Sequence, residues 1–161
     1  MEEKRVLVVV AALGEEEKDK KDEFDTSLDE YSGERKIFAD KPGSAMVMLS
    51  TEEFNDPAGV KSKLLGYNPS CIFNRFEGWC DDSFREVAFT RLLEEIGVPF
   101  TGNSSHTLEI CLDKWGAKQS LKKAGVPVPP GKFIGSTENI DTKGLRFPLF
   151  VKPCFEDASL G

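Results

Sequence analysis

Residues 5–13, Arg5-Val6-Leu7-Val8-Val9-Val10-Ala11-Ala12-Leu13, decide the fold class of this 161-residue chain. The run is almost continuously apolar and rich in β-branched side chains, with no polar residue at every second position. That is the pattern of a strand covered on both faces in a parallel sheet. About nine apolar residues are too few to cross a bilayer, and no small-residue cleavage site follows as in a signal peptide. A cytoplasmic location, with no membrane partner, is therefore expected.

Working outward, residues 14–25 (GEEEKDKKDEFD) form a charge block expected to be a loop or a frayed helix start. Residues 26–39 can form a weak helix, interrupted at Ser32-Gly33. A turn at Lys41-Pro42-Gly43-Ser44 precedes a second short strand over residues 45–50. Asn55-Asp56-Pro57 opens a helix over 58–65, with proline in its first turn and Gly66 as its stop. A third strand follows over 70–74. Ser83-Phe84-Arg85-Glu86 has the S-x-x-E pattern of a capping box, and Phe84, Val87, Ala88, Leu92, Leu93 and Ile96 follow at helical spacing. Gly97 supplies a left-handed stop, and Val98-Pro99-Phe100 reads as an edge strand because proline cannot donate to a ladder.

Strand–helix alternation to about residue 103 predicts an α/β fold, an open and mainly parallel sheet flanked by helices. Beyond that point the character changes. Ser104 or Ser105 can cap a short helix over 107–112, and Asp113 a lysine-rich helix running to 124. Glu95-Ile96-Gly97-Val98-Pro99 and Lys123-Ala124-Gly125-Val126-Pro127 look like one helix-stop device used twice. Strands are expected over 132–134 and 147–151, around a polar loop at 135–144. Two domains are expected, 1–110 and 111–161, the second reading as the truncated start of an α+β lobe.

The net charge of −7 is unevenly placed. Residues 1–30 hold eleven acids and five bases, a sum of −6, whereas residues 114–152 hold eight bases against Glu138 and Asp141, a sum of +6. That distribution argues against wrapping nucleic acid and suits a small polyanion such as a nucleotide triphosphate. Lys114, Lys118 and Lys122 recur every four residues, and on charge alone a solvated helix face is the better account of the basic stretch. Cys71, Cys80, Cys111 and Cys154 form no CxxC pair, and His106 is the single histidine. No metal site is expected within the chain, and the thiols are expected to be reduced and mostly buried.

Four segments arrive in order: Phe73-Asn74-Arg75-Phe76-Glu77-Gly78; Gly97-Val98-Pro99-Phe100-Thr101-Gly102-Asn103-Ser104; Asp113-Lys114 with Lys118; and Phe147-Pro148-Leu149-Phe150-Val151-Lys152-Pro153 running into Glu156-Asp157-Ala158-Ser159-Leu160-Gly161. In this order and spacing they resemble the D-alanine–D-alanine ligase family of the ATP-grasp superfamily, over about residues 70–161. The resemblance implies a Rossmann-like, pre-ATP-grasp first domain followed by the opening of an ATP-grasp lobe. It implies that Lys114 and Lys152 approach ATP phosphates, where a compact ammonium suits a phosphate oxygen. The Ala158–Gly161 loop matches the family's small-residue flap, so Ser159 and Gly161 are candidate nucleotide contacts, with Ala158 where many members carry a serine. Glu77 is placed near the amino-acid substrate, or else caps the turn at Gly78.

A protein of this family uses ATP and Mg²⁺ to join two amino acids, and homodimers are its habit. The helix at 83–96 and the aromatics near Trp79 are candidates for the dimer contact. Its catalytic and metal-binding groups are expected beyond residue 161. The glutamate loop after the first strand corresponds here to Leu13-Gly14-Glu15-Glu16-Glu17, too divergent to assign a carboxylate. Two alternatives stand beside the ligase: a non-catalytic binding or scaffold module of the same fold, and an ATP-grasp ligase of another carboxylate–amine pair.

Overall fold

The computed structural model describes residues 5–11, 38, 41–78, 82–138 and 140–155. The expectations for residues 14–25, and for 26–39 apart from Phe38, lie outside these. The chain divides into two compact units, Met1–Ser105 and His106–Gly161, each described by itself.

The first unit is built on the run that opened the sequence. Val6–Ala11 forms β1, the central strand of a parallel three-stranded sheet in the order β2-β1-β3, with β2 at Ser44–Leu49 and β3 at Cys71–Arg75. Val8 lies opposite Met46 and Phe73, and Val9 opposite Val47 and Asn74. Leu7, Val8, Val9 and Val10 are all fully buried, because a central strand needs apolar side chains on both faces. Phe38 packs on Phe73 with ring centroids 5.5 Å apart.

Leu7, Val9, Val47, Leu49 and Ile72 share one cluster with Val60, Leu64, Phe89, Leu92 and Leu93. Those partners come from α2 (Pro57–Gly66) and α3 (Phe84–Ile96), the helices that cover that face. A short α1 (Thr51–Phe54) carries Phe54 into a stack with Phe76 at 5.5 Å, and Phe76 meets Phe89 at 4.5 Å. The edge strand expected at 98–100 is reduced to a single parallel bridge between Ile72 and Phe100.

The helix ends correct several expectations. Ser83 makes no capping bond. Asp82 takes that role instead: its carboxylate accepts the Phe84 N–H at 3.1 Å and pairs with the Arg85 guanidinium at 3.1 Å. A true capping box stands instead at Ser50 and Glu53, at the start of the short helix two helices earlier in the chain. Gly66 is the last helical residue of α2, not its stop; the left-handed residue is Asn68, at φ 48°. Gly97 and Gly125, at φ 74° and 77°, do end their helices as the repeated device requires. On α3 the buried stripe runs through Phe89, whereas Ala88 and Phe84 are exposed. Val87, Leu92 and Leu93 are buried as the helical spacing predicts, and Ile96 packs against the same core.

The second unit holds two helices, α4 (Ser105–Leu112, beginning on the last residue of the first unit) and α5 (Lys114–Lys123). No strand forms at 132–134 or 147–151: residues 147–148 make a bend and the others have no regular structure. A strand exists through a neighbour that takes its N–H and C=O groups, and among the described residues here none does. Phe150 and Val151 are 93% and 91% exposed. No helix among the described residues is long and apolar enough to cross a membrane.

Candidate functional site

Asp113 organises the basic end of the second unit. Its Oδ1 accepts the N–H groups of Trp115 at 3.1 Å and Gly116 at 2.9 Å, satisfying two of the orphan donors at the start of α5. A Cβ on residue 116 would collide with that carboxylate, so the glycine leaves room for the cap. The Gly116 N–H, then the Cys154 thiol and the Trp115 N–H, hold the Asp113 carboxyl below its ordinary 3.8 against a smaller opposing desolvation.

Lys114 follows the cap and is exposed. Its backbone N–H donates to the Cys154 carbonyl at 3.0 Å, which brings the chain two residues beyond Lys152 to the first turn of α5. Lys152 is exposed, with Nζ 5.7 Å from the Phe150 ring centroid, a cation–π contact of modest strength in water. Lys118 turns elsewhere: its Nζ lies 6.0 Å from the Trp115 ring, against Gly131. Trp115 also packs on Phe133 at 6.3 Å, so this tryptophan is an internal aromatic of the unit. Lys132 pairs with Asp141 at 2.5 Å, and that ammonium, then the Lys143 N–H, lowers the Asp141 carboxyl. Ser159 and Gly161 lie outside the described residues, as does Trp79.

Glu77 belongs to the first unit. It follows β3 at the carboxyl end of the sheet, where open α/β sheets present residues to ligands. The Asn74 side chain accepts the Phe76 N–H at 3.1 Å, and the Thr101 hydroxyl accepts the Asn74 N–H at 3.0 Å, so the strand end is fixed. Gly78, at φ 84°, passes within reach of the Asp82 carbonyl, where a Cβ would sit 3.0 Å from that oxygen. Glu77 itself is exposed and pairs with Arg75 at 3.2 Å. His106 is exposed near the start of α4, as expected of a helix-start residue. Cys71 and Cys154 are half-buried and Cys111 is exposed, so these three thiols are free but not core residues. Short strands and helix ends leave them at element margins. Among the described residues no group of three or more His, Cys, Asp or Glu is placed to hold a metal ion.

The Asp113–Cys154 contact was beyond sequence reasoning, since 41 residues separate the partners and no periodicity links them. Asp82 was within reach: an aspartate directly before Ser83 is an equally good cap.

No protein-family model matches the sequence. Curated relatives do. The D-alanine–D-alanine ligase B of Chromobacterium violaceum is 34% identical over 94 residues, covering 56% of this chain and 30% of that protein. The D-alanine–D-alanine ligase of Alkalilimnicola ehrlichii is 40% identical over 73 residues, covering 43% of this chain and 23% of that protein. Among solved structures, the D-alanine–D-alanine ligase of Bacillus anthracis complexed with ATP superimposes with a TM-score of 0.56 at 19% identity. The superposition covers 89% of this chain and 44% of the other. The chain thus shares its fold with part of that ligase. Over the matched residues the chain is similar to these D-alanine–D-alanine ligases, and it spans less than a third of the curated relatives it matches.

Proposed function

We propose that the protein is an ATP-dependent carboxylate–amine ligase of the D-alanine–D-alanine type. Residues 1–110 form its pre-ATP-grasp domain and 111–161 the opening of its ATP-binding lobe. In the reaction, a carboxylate oxygen of one amino acid attacks the γ-phosphorus of ATP and ADP departs. The amine of a second amino acid then attacks the acyl phosphate, forming the amide and releasing phosphate. Mg²⁺ would supply charge neutralisation at the phosphates when bound; the described residues offer it no group of three or more carboxylate, thiol or imidazole ligands. Their own contribution is positive charge. Lys114 and Lys152 sit on segments joined by the Lys114 N–H to Cys154 carbonyl bond, at the amino end of α5, whose dipole also favours an anion. Ser159 and Gly161 would add close backbone approach to the triphosphate. Glu77, at the end of β3, would face the amino-acid substrate.

The identity of 34% over 94 residues with a ligase is what carries this function. Phosphoryl transfer needs little of a protein beyond oriented positive charge around the phosphates, and the described lysines can supply part of it. The 161-residue chain by itself is expected to show no turnover and feeble nucleotide binding. Two exposed lysines gain little in water, where attraction is weak and screened. In full-length protein, Lys152→Ala should weaken binding of a nonhydrolysable ATP analogue by about 1–3 kcal/mol, the scale of a lost charged contact. Calorimetry measures this, and an affinity equal to wild type would mean the phosphates lie elsewhere.

A homodimer through the first unit is part of the same proposal. Phe84, half exposed on the first turn of α3, is a candidate contact. Light scattering at high micromolar concentration should give twice the monomer mass. A monomer there would remove the dimer and leave the ligase untouched.

A further inference from the structure

The second unit raises a question that its exposed lysines do not answer: what holds the chain around Lys152 in place without a strand ladder? Two contacts do so at Cys154. Its carbonyl accepts the Lys114 N–H at 3.0 Å, and its thiol donates to Asp113 Oδ1 at 3.4 Å. The same Oδ1 caps α5 through Trp115 and Gly116. One carboxylate oxygen therefore meets the first turn of the helix and the segment 41 residues further along.

We propose that Asp113 and Cys154 form a clasp that sets the Lys152 segment against the start of α5, making Cys154 a positioning residue for nucleotide binding by Lys114 and Lys152. The clasp rests on the nucleotide role proposed above for those lysines. Its physical basis is preorganisation. A flexible ammonium in water must give up chain entropy to meet a phosphate, and fixing its backbone beforehand removes part of that cost. The thiol is a weak donor, but its acceptor carries a full charge, which strengthens the bond. The carboxylate is itself held by two helix N–H groups, so it is a fixed point and not a mobile partner. Gly116 leaves room for the device, because a Cβ there would press on the free Oδ2 of the same carboxylate.

The test compares Cys154→Ala with Cys154→Ser. Alanine removes the donor at little change in size, and serine restores an O–H donor to the same carboxylate. In the 161-residue chain, hydrogen exchange at the Lys114 amide should be several-fold faster in Cys154→Ala and near wild type in Cys154→Ser. Equal exchange in all three proteins overturns the clasp. In full-length protein, Cys154→Ala should weaken binding of a nonhydrolysable ATP analogue roughly three- to tenfold, the range of one lost hydrogen bond. The melting temperature should stay within the error of wild type, and Cys154→Ser should recover the affinity. Unchanged affinity in Cys154→Ala beside weakened binding in Lys152→Ala overturns the positioning role and leaves the nucleotide site standing. Unchanged affinity in both variants overturns the nucleotide site and the positioning role together.

Discussion

The two units of this chain are held by different physics. The described residues up to Ser105 are organised on a parallel sheet whose central strand is buried on both faces, and α2 and α3 close one face with a continuous apolar cluster. From His106 onward, Leu112 is the one buried apolar side chain among the described residues, while Phe147, Phe150 and Val151 lie open to solvent. There the contacts that join distant segments are mainly polar and few: the Asp113 cap with Cys154, and the Lys132–Asp141 pair. Hydrophobic burial is worth roughly 25 cal/mol per Å², so the first unit can carry stability for its residues while the second borrows its shape from individual hydrogen bonds. The segments proposed to meet ATP lie in the second. A binding region of low local stability, attached to a packed scaffold, is the usual division of labour.

The sharpest way to break that contrast is a matched pair of phenylalanine truncations. Phe89 is fully buried against Phe76 and Phe54, so Phe89→Ala should cost about 3–5 kcal/mol through lost transfer and a residual cavity. Phe150→Ala should stay within about 0.5 kcal/mol, as for a side chain 93% exposed whose one ring contact, with Lys152, lies in water. Urea denaturation followed by far-ultraviolet circular dichroism measures both. Similar losses in the two variants would show that the second unit has a core after all.

The parallel sheet was legible because its signal is local and strong: residues 6–11 offer no polar face, and a strand of that kind has few other places to go. Helices with proline or aspartate at their starts were legible for the same reason, as Asp56 and Asp113 show. The missed strands at 132–134 and 147–151 fail for a different one. β-propensity in Phe147–Val151 describes side chains that would suit a sheet, but a sheet is made by neighbours, and propensity does not contain them. Of the candidate site, the lysines were legible as charge, and their company was not. Nothing in the local sequence ties Cys154 to Asp113, and Arg75 meets Glu77 by a side-chain geometry that spacing does not fix.

Helix starts give the next test, because the sequence and the folded chain disagree about them. Asp113→Ala removes an N-cap that bonds two backbone N–H groups, and should loosen the first turn of α5. Ser83→Ala removes a side chain that makes no cap bond on α3 and should be close to neutral. Hydrogen exchange across 114–120 and 84–90 separates the two. If Ser83→Ala is the costlier change, the capping box read from Ser83-Phe84-Arg85-Glu86 operates in solution.

The smallest effect expected is a pH dependence at Glu94, where a polar tie lies beside the packed core. Its carboxylate accepts the Ser105 hydroxyl at 2.6 Å and the Ser105 N–H at 2.8 Å. The Ser105 hydroxyl, then its N–H, and the nearby Arg91 charge lower the Glu94 carboxyl below its ordinary 4.5, against a smaller opposing desolvation. The sign follows directly. A group whose folded-state value is depressed stabilises the fold at pH above its unfolded value, and the contribution disappears as pH falls through the folded value. Above pH 4.5 wild type should therefore be slightly more stable than Glu94→Gln, and the gap should close as pH is lowered through the depressed value. The carboxylate is too solvent-accessible for the effect to rival Phe89→Ala. Urea midpoints of the two proteins across a pH series measure the gap. A constant gap at all pH values would mean that glutamine loses shape complementarity and that the charge on Glu94 contributes nothing.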